Sequence, residues 1–140
     1  MITAGLTNSF KYQLLLGGHN LAVDTIKVAL YTSSASLGPD TTVYSTTNEV
    51  SGAGYTAGGI TATNVTVTLS NAAGVAYVDF DDPTWNGATF STLGALVYNA
   101  SKGNKSIGVI NFGAIQSMTN QGFQILMPSN SSDAALIRIN

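Results

Sequence analysis

Alternation with a period of two is the feature that most limits what this chain can fold into. "TIKVALYT" (25–32) sets Ile26, Val28 and Leu30 against Lys27, Ala29 and Tyr31, the pattern of a half-buried strand. "VAYVDF" (75–80), "TLGALVYN" (92–99), "SIGVINFG" (106–113), "FQILMP" (123–128) and "AALIRI" (134–139) read as further strands. "ITATNVTVTLS" (60–70) also alternates, but its apolar positions change face near Asn64, which predicts a bulge. "NAAG" (71–74) and "ASKGNK" (100–105) are hairpin connections. "DDPTWNGAT" (81–89) is expected to break the sheet, because Pro83 has no ladder donor and pushes Asp82 to extended geometry. About seven to eight strands at this spacing make the chain all-β. The expected architecture is a single antiparallel β-sandwich or jelly-roll-like barrel.

One helix precedes the strands. "NSFKYQLLLGGHN" places Phe10, Leu14 and Leu15 on one face, with Thr7 or Asn8 as N-cap and Gly17 and Gly18 supplying the positive φ that ends it. Such a short helix must dock to persist, on its own sheet or on a neighbouring subunit. Residues 35–59 form a long irregular stretch, with a short helical turn or strand around 42–50. At 140 residues the chain fits one domain, 1–140, with residues 1–20 as an N-terminal segment and short helix. A chain of this length buries roughly 70% of its unfolded surface, so it needs no covalent staple, and it has no cysteine.

Composition removes several functions. The basic residues Lys11, Lys27, Lys102, Lys105 and Arg138 form no patch, so direct nucleic-acid binding is set aside. No apolar run spans a bilayer, and no secretory leader is expected from "MITAGLTNSF". The four Asn-x-Ser/Thr matches, such as "NVT" (64–66) and "NSS" (130–132), are expected to be chance. "GAGYTAG" (52–58) has its third glycine one residue late for a dinucleotide fingerprint and leads into a strand, so no helix N-terminus is there to hold phosphate.

The chemistry-bearing residues are few. His19 is the single histidine, too isolated for a metal site or a triad. Asp79, Asp81 and Asp82 form the densest acidic cluster and are the one calcium candidate; a solvated strand end with Asp82 opening a turn is the favoured reading. Glu49 has no opposing carboxylate for a glycosidase pair. Tyr31, Tyr44, Tyr55, Trp85 and Tyr98 could line a sugar platform, but such residues more often pack a core edge or an interface. No catalytic residue and no cofactor are assigned.

Four segments together carry a family resemblance: "IKVALYTSSASL", "TTVYSTTNEVSGAGYTAGG", "VDFDDPTW" and "GALVYN". With them the chain, from Ser9 to about Ile139, resembles small virion structural proteins of tailed bacteriophages. The resemblance implies a non-enzymatic virion component made in the host bacterial cytoplasm. Its first form is a capsid decoration (cement) protein, a homotrimer on the capsid surface bridging major capsid subunits. The alternative is a neck, tail or fibre-associated protein, including a receptor- or glycan-binding module. The N-terminal segment and the 35–59 loop are expected at interfaces, with Ile2, Leu6, Phe10, Tyr44, Tyr55 and Trp85 as contact residues.

Overall fold

The computed structural model describes residues 1–128 and 135–139. Eight strands and one α-helix follow in the order β1 (Gly5–Leu6), α1 (Asn8–Leu15), β2 (Ile26–Tyr31), β3 (Ile60–Thr61), β4 (Thr66–Ser70), β5 (Val75–Asp79), β6 (Thr84–Asn99), β7 (Lys105–Gln124) and β8 (Ile137–Ile139). A 3-10 turn at Ala100–Lys102 joins β6 to β7. The strands form two antiparallel sheets, β1-β7-β6-β2-β3 and β4-β5-β8. The all-β sandwich expected from alternation is the observed class.

The larger sheet is buried on both faces. Val28, Leu30, Ala95, Val97 and Ile107 point to one side and pack with Phe10 of α1 and with Val78 and Ile137 of the smaller sheet. Ala29, Tyr31, Leu96, Tyr98 and Val109 point to the other, where Ile2, Ala35, Leu37 and Tyr44 cover them. The expected half-buried strand at 25–32 is therefore corrected. Five of the six β2 residues are buried, and only Lys27 is partly exposed. The second cover is not a sheet. It is the N-terminal segment and the start of the long loop.

This arrangement also corrects the expectation that Ile2 and Phe10 serve an interface. Both are core residues of the protomer, 4% and 0% exposed. Gly94 makes room for Ile2, since a Cβ there would stand 2.9 Å from the isoleucine side chain and 2.5 Å from the Ile110 carbonyl. The Asn111 side chain donates to the Ile2 carbonyl at 2.7 Å, and backbone bonds run from Thr3 N–H to Leu37 and from Leu37 N–H to Met1. Leu6 is half-buried in β1 against β7. Helix α1 is capped at its start by Thr7, whose hydroxyl accepts from Phe10 N–H. It ends as expected at Gly17 (φ 72°), with Gly18 N–H on the Gln13 carbonyl and Gly17 N–H on the Leu14 carbonyl, a Schellman closure.

Three further expectations change. The face switch near Asn64 is not a bulge within one strand. The chain leaves the larger sheet after Thr61 and enters the smaller one at Thr66, turning through Asn64 at φ 53°. Residues 81–89 do not interrupt the sheet beyond Pro83. Strand β6 starts at Thr84 and absorbs irregular register between Trp85, Ala88 and Phe90, with Gly87 at φ 59°. The segments 106–113 and 123–128 are not two strands. One strand runs through Lys105–Gln124, and 125–128 lies beyond its end. Of the expected strand 134–139, residues 137–139 pair with β5, and residue 134 lies outside the described residues, as does the "NSS" at 130–132.

Removing residues 1–8 is expected to unfold the protein rather than merely loosen an attachment, because it strips Ile2, β1 and the Thr7 cap together. Phe10→Ala is expected to cost about 3–5 kcal/mol. Urea denaturation of both variants checks this, and a truncated protein with the native midpoint would refute it.

Candidate functional site

The long loop is organised by one carboxylate. Glu49 sits where the chain runs beside the outer end of β2, with Thr32 N–H on the Asn48 carbonyl and Val50 N–H on the Leu30 carbonyl. From there its side chain gathers the loop. Oε2 accepts from the Tyr44 hydroxyl at 2.7 Å; Oε1 accepts from the Tyr55 hydroxyl at 2.6 Å and from Gly58 N–H at 2.7 Å. Bonds to a charged acceptor are about twice as strong as neutral ones.

Tyr55 links this carboxylate to the sheet. Its oxygen also accepts from Leu30 N–H at 3.0 Å, satisfying the donor of the same residue whose carbonyl takes Val50 N–H. Tyr98 donates to the Gly58 carbonyl at 2.6 Å and stacks on Tyr44 at 4.7 Å between ring centres. Tyr31 donates to the Ser45 carbonyl at 2.6 Å. Burial pushes the Tyr98 hydroxyl up to about 12, and the Glu49 charge adds to it. Tyr31, Tyr44 and Tyr55 are raised further, again first by burial and then by their surroundings, including Glu49. These phenols stay protonated donors throughout the physiological range.

The glycines of "NEVSGAGYTAGG" follow from close approach. A Cβ on Gly59 would stand 1.9 Å from the Val28 carbonyl oxygen, and on Gly52 2.3 Å from that of Thr89. On Gly54 it would stand 2.8 Å from the carbonyls of Asn86 and Gly87. All three also have positive φ, at 79°, 155° and 82°. The loop thus lies flat on β2 and on the far half of β6, where Ala53 bridges to Thr89. Tyr55 turns inward, onto Trp85 and Phe90 at 6.4 and 5.8 Å between ring centres. Trp85 is 5% exposed and packs on Phe123. Trp85 is therefore protomer core, and Tyr55, half-buried, packs against that core with its hydroxyl turned to Glu49 and Leu30. Tyr44 is half-buried in the same network.

The remaining candidates are committed to structural bonds. His19 accepts at Nδ1 from the Asn99 amide at 3.0 Å, which leaves Nε2–H to donate to Gln13 Oε1 at 2.9 Å. The same Asn99 amide donates to Asp24 at 2.8 Å, and Asp24 faces Lys102 at 3.9 Å. Burial, then the Lys105 charge, lower the His19 pKa, with Asp24 opposing. The acidic cluster divides. Asp81 accepts from Thr63 and Asn64 at the crossover between sheets, and Asp82 accepts from Met127 N–H at 2.8 Å. Asp79 is raised by burial and then by its two neighbours' charges, and its Oδ1 is buried without a hydrogen-bond partner among the described residues. Among the described residues no group of three or more His, Cys, Asp or Glu could hold a metal ion.

Sequence reasoning missed Glu49 as a hub. The available signal was a lone carboxylate in a glycine- and hydroxyl-rich loop with a tyrosine on each side, at positions 44 and 55. It also missed the side-chain amides of Gln13 and Asn99 that hold His19. No family model, no curated protein and no solved structure matches the chain. Among the described residues no helix is long and apolar enough to cross a membrane.

Tyr55→Phe is expected to cost about 1–3 kcal/mol, since it leaves Leu30 N–H and Glu49 short of a partner. Gly59→Ala is expected to be worse, because neither its φ nor its space admits a side chain; denaturant midpoints rank the two. For His19 the folded pKa lies below the unfolded value of about 6.5. Its contribution is present above about pH 6.5 and falls as pH drops toward the folded pKa. The stability difference between wild type and His19→Gln is therefore expected to shrink across that window, and a pH-independent difference would refute it.

Proposed function

We propose that this chain is a structural component of a tailed-bacteriophage virion, most specifically a capsid decoration protein that binds major capsid subunits as a homotrimer and raises the barrier to their separation. The reading rests on the resemblance carried by "IKVALYTSSASL", "TTVYSTTNEVSGAGYTAGG", "VDFDDPTW" and "GALVYN". The observation that supports it best is the Glu49 clamp. Glu49, three tyrosines and three glycines of the resemblance segments are spent on holding a loop rigidly to a sheet. Residues tied to one another in this way specify a shape, and shape is what a shell component contributes.

The mechanism is mass action on an assembled state. A protein that binds only neighbouring subunits in place stabilises that placement, and a trimer binds through several points at once. Charge is sparse, with five Lys+Arg and seven Asp+Glu and a net charge of −2, so contact with a shell meets little electrostatic repulsion. Under this reading the protein is made in the bacterial cytoplasm, acts without a cofactor and is not an enzyme.

Counting copies in purified particles tests the proposal. A number comparable to the major capsid protein is expected. A dozen or fewer would move the protein to the neck or tail, and absence from particles would end the reading.

A further inference from the structure

Strand β6 carries one dipeptide that the fold leaves open to chemistry. Of the twelve asparagines only Asn86 is followed by glycine. The register passes from the Trp85–Phe123 pair to the Ala88–Gln121 pair, so Asn86 and Gly87 together face the single residue Gly122. Both are exposed, Gly87 stands at φ 59°, and a Cβ on it would meet nothing within 4 Å. The side-chain amides of Asn8, Asn48, Asn64, Asn99 and Asn111 are tied to neighbouring carboxylates, carbonyls or His19. No hydrogen bond ties that of Asn86 among the described residues.

This dipeptide lies under the glycine loop. Gly54 leans on the backbone carbonyls of Asn86 and Gly87, where a Cβ would stand 2.8 Å from each oxygen. Beside it Thr89 N–H donates to the Ala53 carbonyl at 2.9 Å, and Tyr55 packs on Trp85. Residues 53–55 are therefore seated on the main chain of 85–89, and their fit depends on where those carbonyls point.

We propose that Asn86 is a site of spontaneous deamidation, and that the reaction unseats the loop above it. The backbone nitrogen of Gly87 attacks Cγ of Asn86. A new C–N bond forms, the side-chain amide C–N bond breaks, and ammonia leaves with the proton from the Gly87 nitrogen, closing a succinimide. Water then opens the ring at either carbonyl, giving aspartate or isoaspartate. Asparagine is a thermolabile residue, and glycine hinders the attack least, because it brings no side chain and turns freely about φ and ψ. At a two-for-one bulge the peptide between them is also released from the regular ladder. Isoaspartate lengthens the main chain by a methylene beneath Gly54, and either product adds a negative charge to a chain of net charge −2. The site stands apart from the virion reading, and its only co-reactant is water.

The full chain, aged in warm, mildly alkaline buffer, tests this. Asn86→Gln and Asn86→Ser are aged beside it, and so is wild type unfolded in urea. Mass spectrometry is expected to find amide loss at residue 86 ahead of the asparagines whose amides are tied. Isoaspartyl methyltransferase is expected to label the peptide containing residue 86 in wild type and in neither variant. Hydrogen exchange of the aged protein is expected to quicken at 52–59 while α1 keeps its protection. No label on that peptide in the folded protein, once the unfolded chain has acquired it, would overturn the site, as would earlier amide loss at a tied asparagine. Unchanged exchange at 52–59 in a fully deamidated sample would overturn its effect on the loop.

Discussion

The Glu49 carboxylate is the interaction on which the second half of the core depends. The larger sheet has two apolar faces but only one partner sheet. Its other face is covered by irregular chain, and irregular chain brings backbone groups that must be satisfied when buried. Glu49 meets that need by accepting from Gly58 N–H and from the Tyr44 and Tyr55 hydroxyls, while Tyr55 in turn satisfies Leu30 N–H. A hydrophobic patch could cover the same area. It could not supply acceptors to backbone, and the loop would have no reason to keep one path.

The His19 network does similar work at the other side of the sheet. It ties α1 through Gln13, the following turn through Asp24, and the end of β6 through Asn99. Its bonds depend on a neutral ring, because a protonated Nδ1 would face the Asn99 amide donor. The two hubs thus differ in their response to acid. The tyrosine donors keep their protons far above neutrality, whereas the imidazole gains one below it.

The strands and the helix were legible in the sequence wherever one residue alternated with its neighbour, or where a cap stood at each end of "NSFKYQLLLGG". Legibility failed where the environment departed from a simple half-buried strand. Lys27, Ala29 and Tyr31 suggest a solvent face, yet irregular chain covers Ala29 and Tyr31. The stretch 114–122 looks like a connection because it is polar. It is a strand within the far part of the β6–β7 ribbon, where Met118 is buried and most of its neighbours are exposed. Among the candidate residues, the sequence marked Tyr44, Tyr55 and Trp85 as noteworthy but not their direction. Direction depends on contacts between residues tens of positions apart, such as Tyr98 on Gly58 and Gly52 on Thr89.

Strand β1 near the start of the chain pairs with Gly108 and Val109, and β8 near its end pairs with β5. Neither sheet can be completed from a partial chain. A ribosome that has delivered residues 1–100 has delivered β1 and β6 without β7, and a β5 without β8. Contacts so distant in sequence make closure slow relative to local folding. The apolar strands β5 and β6 therefore stay open to wrong pairings until the later strands that complete them, β8 and β7, arrive.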